Sequence, residues 1–316
     1  MASKSLTRLW RCLATYRTNN TRHVRVVCPG MLQTQALIQQ QVARLSTNTK
    51  QLSADTREVK NESSNHKFDN LQCRVDLAAA YQILEHLGFE EGIDNHLTLR
   101  APSSNSGNDV MLVIPYGLHW SQVTASQLIG VDFESGETIE GKGTVDPTAF
   151  CIHRAIHRAR SGDGAKCVMH THQPYATALA CLKDSRLLML HQNSARFHGR
   201  IAYDQDFDGI PDMDENVAEG DRMARVFRDN EILLHGNHGV TAIGPTVAYA
   251  FNALYFLERV CQLQVLAMST GRELSELPED QVEKTAKTWP KYDYIAPLFF
   301  NSMKDVIIAK GSRFMT

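Results

Sequence analysis

One stretch, residues 166–182 (KCVMHTHQPYATALACL), constrains the fold more than any other. Cys167, Val168 and Met169 form a short apolar run that predicts a buried strand. Residues two apart on a strand point to the same face, so His170 and His172 aim two imidazoles at one spot. Pro174 stops the strand, and residues 175–182 read as the start of a helix. A third imidazole comes from His238, in the glycine-bounded turn His235-Gly236-Asn237-His238-Gly239. Three protein ligands with an open position are a usual catalytic metal arrangement. His235 is the alternative third ligand. His153 and His157 are spaced i, i+4 but lack the Glu of an HExxH pair. Lying between Arg154 and Arg158, they are expected on a solvated helix face.

Apolar periodicity places helices at residues 71–87, 149–160, 216–228 and 247–269. Strands are expected at 95–100, 110–115, 128–132, 231–234 and 240–243, with a turn at 133–137 and an Asp/Gly-rich loop at 202–215. Strands and helices mix without strict βαβ alternation. That favours an α/β sheet with antiparallel pairs over a doubly wound parallel one.

Charge divides the chain. Residues 1–54 hold eight of the 33 basic residues and no acid, which leaves 25 against 35 acidic ones, a charge of about −10, for the remainder. A body that acidic is a poor non-specific nucleic-acid binder. The leader, with Leu6, Leu9, Trp10 and Leu13 at helical spacing and Arg8 and Arg11 opposite, reads as a mitochondrial transit segment over residues 1–50. A polar linker, 51–66, follows. The expected location is therefore the matrix, with the cytoplasm as the alternative. No apolar run is long enough to span a membrane. Seven cysteines occur singly, without a CxxC pair, and suit a reducing compartment.

The segments GIDNHLTLR (92–100), VIPYGLHWSQVTASQLIGVD (113–132), CVMHTHQPYATALACL (167–182), LHQNSARFHGRIAY (190–203) and ILLHGNHGVTAIG (232–244) resemble, in order, the class II aldolase/adducin head-domain family. The resemblance covers roughly residues 68–275. It implies a single three-layer α/β/α domain, residues 67–310, with a central, largely antiparallel sheet. It also implies a homotetramer and a divalent metal, zinc or another such as manganese, held by His170, His172 and His238.

The chain departs from the family's sugar-phosphate aldolases. Their proton-transferring Glu falls at Ala149, in Asp146-Pro147-Thr148-Ala149, and alanine cannot move a proton. Their phosphate-binding serines fall at Pro147 and Thr148, and their loop Tyr at Gln192. Their Thr-Ser-Gly-Asn and Thr-Pro-Ser-Gly segments read Gly92-Ile93-Asp94-Asn95 and Ile114-Pro115-Tyr116-Gly117 here, so Asn95 is kept, Asp94 would repel a phosphate and Tyr116 adds bulk. The segment IPYGLHWSQVTAS leans toward the adducin branch. The Lys-rich adducin tail is not expected in this chain, whose last thirteen residues carry only Lys304, Lys310 and Arg313 as basic groups.

The expected function is that of a metal-dependent lyase-like enzyme. Its substrate would be a small, unphosphorylated hydroxy- or oxo-acid, and its chemistry enolate stabilisation. Asp94, Tyr116, His119 and Asp146 are the candidate proton-handling groups. The alternative is a non-catalytic, adducin-like assembly module with a structural metal. Actin or spectrin contact stays open as its partner chemistry.

Overall fold

The computed structural model describes residues 62–105, 108–160, 162–206, 209 and 215–316. The transit segment and residues 51–61 of the expected linker lie outside them.

Helix α1 (Glu62–His86) begins within the stretch expected to be linker. No Gly or Pro interrupts it from Glu62 onward, so a polar composition alone did not stop the helix. It ends where Gly88 takes a φ of 71°, with Phe89 N–H donating back to the Leu84 carbonyl. Tyr81, fully buried, fastens α1 to the sheet. Its hydroxyl donates to the Leu97 carbonyl at 2.6 Å and accepts from Leu97 N–H at 2.9 Å.

The remaining elements in chain order are β1 (His96–Pro102), β2 (Asp109–Val113), β3 (Ile129–Val131), β4 (Thr138–Glu140), α2 (Pro147–Ala159), β5 (Cys167–Thr171) and α3 (Pro174–Ala180). Then follow β6 (Ile201–Asp204), α4 (Asn216–Phe227), β7 (Ile232–His235), β8 (Val240–Gly244), α5 (Val247–Ser269), α6 (Glu279–Thr288) and α7 (Ile295–Ala309). The eight strands form one sheet in the order β4-β3-β2-β1-β5-β8-β7-β6. Only β6 pairs with its neighbour, β7, in parallel. This is the three-layer, largely antiparallel architecture expected. The loop expected at 202–215 gives up its first residues to β6.

Strand alternation sorts the side chains between two helical layers. Leu97, Leu99, Cys167, Met169, Val240 and Ala242 face the larger core, shared with α1, α5 and α7. Val168, Leu233 and Ile243 face a smaller core with Ile152 and Ile156 of α2 and Met223 and Phe227 of α4. His96, His170 and Thr241 share that second face. They stand in register across β1, β5 and β8, a polar row at the end of an apolar surface. No described helix is long and apolar enough to cross a membrane.

Candidate metal centre

Strand β5 carries His170 and His172 to the end of the sheet, and the β7–β8 turn brings His238 beside them. One ring nitrogen from each lies within 4.8 Å of the others. His170 Nε2 and His172 Nε2 are 3.0 Å apart, close to the roughly 3.3 Å that separates two nitrogens on a tetrahedral zinc ion. The turn can come this near only because residue 239 is glycine. A Cβ there would stand 2.6 Å from His172 Cδ2 and 2.7 Å from the Thr171 carbonyl oxygen. Asn237 takes the left-handed conformation, φ 56°, that the tight turn needs.

The far nitrogens are held. Glu91 Oε2 meets His172 Nδ1, and Thr241 Oγ1 lies 3.2 Å from His170 Nδ1. Such partners orient imidazoles and leave Nε2 for an ion. His235 is set back by one hydrogen bond: its Nε2 lies 2.8 Å from Thr241 Oγ1, and it is not in the converging group. Burial, then the nearness of His238, holds His170 well below the ordinary histidine range. Burial also pushes His238 down to about 4. Both are therefore neutral at pH 7, the form that ligates. This donor set fits a divalent metal of the zinc type.

The cluster opens into a cavity of about 360 Å³, within the small end of ligand-pocket sizes. Asn95, 1% exposed, lines it. The Asn95 Oδ1 accepts from Glu91 N–H at 2.8 Å and His172 N–H at 3.3 Å, which fixes the amide's orientation. Its Nδ2 is buried without a partner among the described residues, a donor suited to a ligand oxygen.

Asp94, Tyr116 and Asp146 line the cavity, whereas His119 does not. The ring of His119 is taken up with Ser121, whose N–H and hydroxyl it meets at 3.2 and 2.8 Å. One oxygen of Asp146 caps α2 by accepting from Ala149 N–H at 2.8 Å. Glu219 of α4 also lines the cavity. In the sequence Glu219 carries no signal of its own, as one acid on an amphipathic helix.

His153 and His157 are not on a solvated face. Both are 0% exposed, on the side of α2 that packs on β1. Their neighbours Arg154 and Arg158 point elsewhere, because residues i and i+1 do not share a helix face. His96 Nδ1 lies 2.8 Å from His153 Nε2. The Thr98 hydroxyl lies 2.6 Å from His153 Nδ1 and 2.8 Å from His157 Nε2. The His157 Nδ1 lies 2.9 Å from the Ala165 carbonyl. The signal was in the sequence: His96 and Thr98 alternate on a strand, and the two histidines repeat every four residues on a helix.

Residues 75–265 match the family model for the class II aldolase and adducin N-terminal domain. The chain belongs to that family. A Caulobacter vibrioides protein whose name places it in aldolase class 2 is 34% identical over 217 residues, 67% of this chain and 80% of that one. Human beta-adducin is 34% identical over 208 residues, which span 65% of this chain and 27% of beta-adducin. Among solved structures, an aldolase II superfamily protein from Pseudomonas syringae aligns with a TM-score of 0.69 at 27% identity, over 78% of this chain and 96% of that one. An L-fuculose 1-phosphate aldolase from Glaciozyma antarctica PI12 gives 0.64 at 27% identity, over 78% and 92%.

Within this class II aldolase/adducin domain, Ala149 lines the cavity with a methyl group. The Thr148 hydroxyl donates to Asn216 Oδ1 at 3.2 Å. Glu140, the nearest upstream glutamate in the sequence, is buried elsewhere. It is clamped by Arg74 at 2.6 Å and by the Ser103 hydroxyl at 2.6 Å.

Proposed function

We propose that the chain is a metal-dependent, lyase-like enzyme acting on a small, unphosphorylated hydroxy- or oxo-acid. One observation carries the reading: three histidines converge at the wall of a small cavity beside the buried Asn95 Nδ2, which has no partner among the described residues. His170, His172 and His238 would hold the ion, zinc before manganese given three imidazoles. When bound, it supplies Lewis-acid polarisation of a ligand carbonyl or carboxylate.

The protein's own groups do the rest. Glu91 and Thr241 hold two ligand rings in place. The Asn95 Nδ2–H donates to a ligand oxygen. Asp94, Asp146, Tyr116 and Glu219 are the cavity groups within which proton transfer must be sought, because Ala149 offers none.

Elemental analysis of untagged protein tests the reading, with about one divalent ion per chain expected. A turnover screen of hydroxy- and oxo-acids follows. Metal-free protein that takes up no added zinc would overturn it.

The similarity to beta-adducin and the alanine at 149 favour a second reading, a non-catalytic assembly module with a structural metal. Bound metal without turnover on any acid would select it, and cosedimentation with actin and spectrin would test its partners. In either case we place the chain in a homo-oligomer. The outward Tyr294 and Leu298 of the C-terminal apolar stretch, 59% and 62% exposed, support this. Sedimentation of a chain lacking residues 1–54 tests it. The acid-free leader supports mitochondrial import, which a reporter fused to residues 1–54 would test.

A further inference from the structure

With neutral rings, His157, Thr98, His153 and His96 carry a proton order that heavy-atom geometry determines. A carbonyl oxygen only accepts, so the contact of His157 Nδ1 with Ala165 at 2.9 Å makes that nitrogen the donor. In a neutral ring, His157 Nε2 then accepts, and the Thr98 hydroxyl at 2.8 Å donates to it. With its one hydrogen spent, Thr98 Oγ1 accepts from His153 Nδ1–H at 2.6 Å. His153 Nε2 accepts in turn, and His96 Nδ1–H donates to it at 2.8 Å. Flipping any of the inner rings would lose two hydrogen bonds in buried surroundings. Burial pushes His157 down to about 3 and His153 well below its usual range, so these two rings are neutral at pH 7.

The chain of bonds ends in the cavity. His96 lines it and stacks on His170, ring centroids 5.0 Å apart. His96 Nε2 makes no hydrogen bond among the described residues. It is also not one of the buried unpaired atoms, so it is open to the cavity. We propose that His96 presents a bare Nε2 lone pair to the cavity and selects ligands that bring a hydroxyl, so that the ligand class is a hydroxy-acid rather than an oxo-acid.

A hydroxyl donates to this nitrogen. A carbonyl in the same place sets lone pair against lone pair, and a methylene leaves the acceptor without a partner. The Asn95 Nδ2–H complements it as a donor for the acid's oxygen. This deepens the proposed function and rests on the acid ligand assumed there. Thr98, His153 and His157 touch no ligand and act as positioning residues.

Histidine ¹⁵N NMR on the metal-free chain reads the tautomer directly, with His96 assigned by the signal lost in His96→Gln. A protonated Nδ1 and a bare Nε2 are expected, and a protonated Nε2 overturns the proposal whatever the metal does. Calorimetric titration of the zinc-loaded chain with lactate, pyruvate and propionate reads the selection. Lactate is expected to bind at least ~10-fold more tightly than either of the others.

In His96→Leu that margin should collapse to within about 2-fold, with zinc content intact. Thr98→Val keeps His96 but cuts the relay. It should mix the His96 tautomers and shrink the lactate margin without loss of zinc. Equal binding of the three acids by the unmodified chain, or none, overturns the hydroxy-acid assignment. Loss of zinc from His96→Leu overturns the acceptor role, because His96 would then be a ligand. Failure of the unmodified chain to take up zinc refutes the proposed function and leaves the tautomer result standing.

Discussion

The imidazole of His172 has Nε2 to offer an ion because Glu91 takes Nδ1. Glu91 is two-thirds exposed, so solvent screens the pair and its contribution falls at the low end for such partners. Glu91→Gln should weaken zinc binding about 10-fold, read by competition with a chromogenic chelator. An unchanged affinity would mean that Glu91 is a bystander. His157 gives a second test, through pH. Its folded pKa, about 3, lies below the unfolded value of about 6.5. Between those values the unfolded chain binds the extra proton, so stability falls as pH falls, by up to about 1.4 kcal/mol per pH unit, and is constant above about pH 7.5. Urea unfolding of the metal-free chain from pH 7.5 to 5 should show stability falling with pH, and His157→Gln should remove its share. The period of two made His170 and His172 legible in the sequence, and a glycine on each side pointed to His238. His153 and His157 were misread because their arginine neighbours looked decisive. Glu91 gave no signal at all, as one acid in an exposed loop.

Helix α3 follows the metal-ligating strand directly, and its first turn is fixed from a distance. Glu258 of α5, 4% exposed, accepts from Tyr175 N–H at 2.8 Å and Ala176 N–H at 2.9 Å. Helix N-termini have such unpaired donors, and a buried carboxylate satisfies two of them here. Burial raises the Glu258 pKa, and the two N–H groups pull it back. Glu258→Ala should cost about 2–4 kcal/mol, since both donors stay buried and a cavity opens. A loss below about 0.5 kcal/mol in denaturant melts would show that water replaces the carboxylate at no cost. The long elements were legible because their apolar repeats run for several turns, and α5 begins and ends where periodicity put it. Strands β4 and β6, three and four residues long, are too short to show a period. They form because a neighbouring strand offers them an edge. Helices α6 and α7 were missed for a related reason: the apolar 294–300 stretch is the first half of α7, with Ala296 and Phe300 turned inward while Tyr294 and Leu298 stay outside.

At the scale of the molecule, the antiparallel topology was readable from the irregular order of strands and helices, and the resemblance supplied the layers. At the positions that the resemblance aligns, the cavity differs from a sugar-phosphate aldolase's equipment. Cleaving a sugar phosphate takes a Lewis acid, a phosphate anchor, a base and a proton donor. The histidine cluster offers a place for the first. At the position of the family's carboxylate, Ala149 puts a methyl group into the cavity. Thr148 is engaged with Asn216, Asp94 puts a carboxyl group on the cavity wall, and Gln192 is exposed and outside the cavity. General acid–base groups contribute about 10²–10⁴-fold each, and losing the anchor removes remote binding energy that positions the substrate. Zinc-loaded protein should therefore show no useful turnover of fuculose 1-phosphate or ribulose phosphates in a coupled assay for the released aldehyde. Ala149→Glu alone should not restore it, because the anchor stays absent. A kcat within the ordinary range of about 1–10³ s⁻¹ on such an ester would refute this. It would also require Asp146, Glu219 or a neighbouring copy of the chain to carry the proton chemistry.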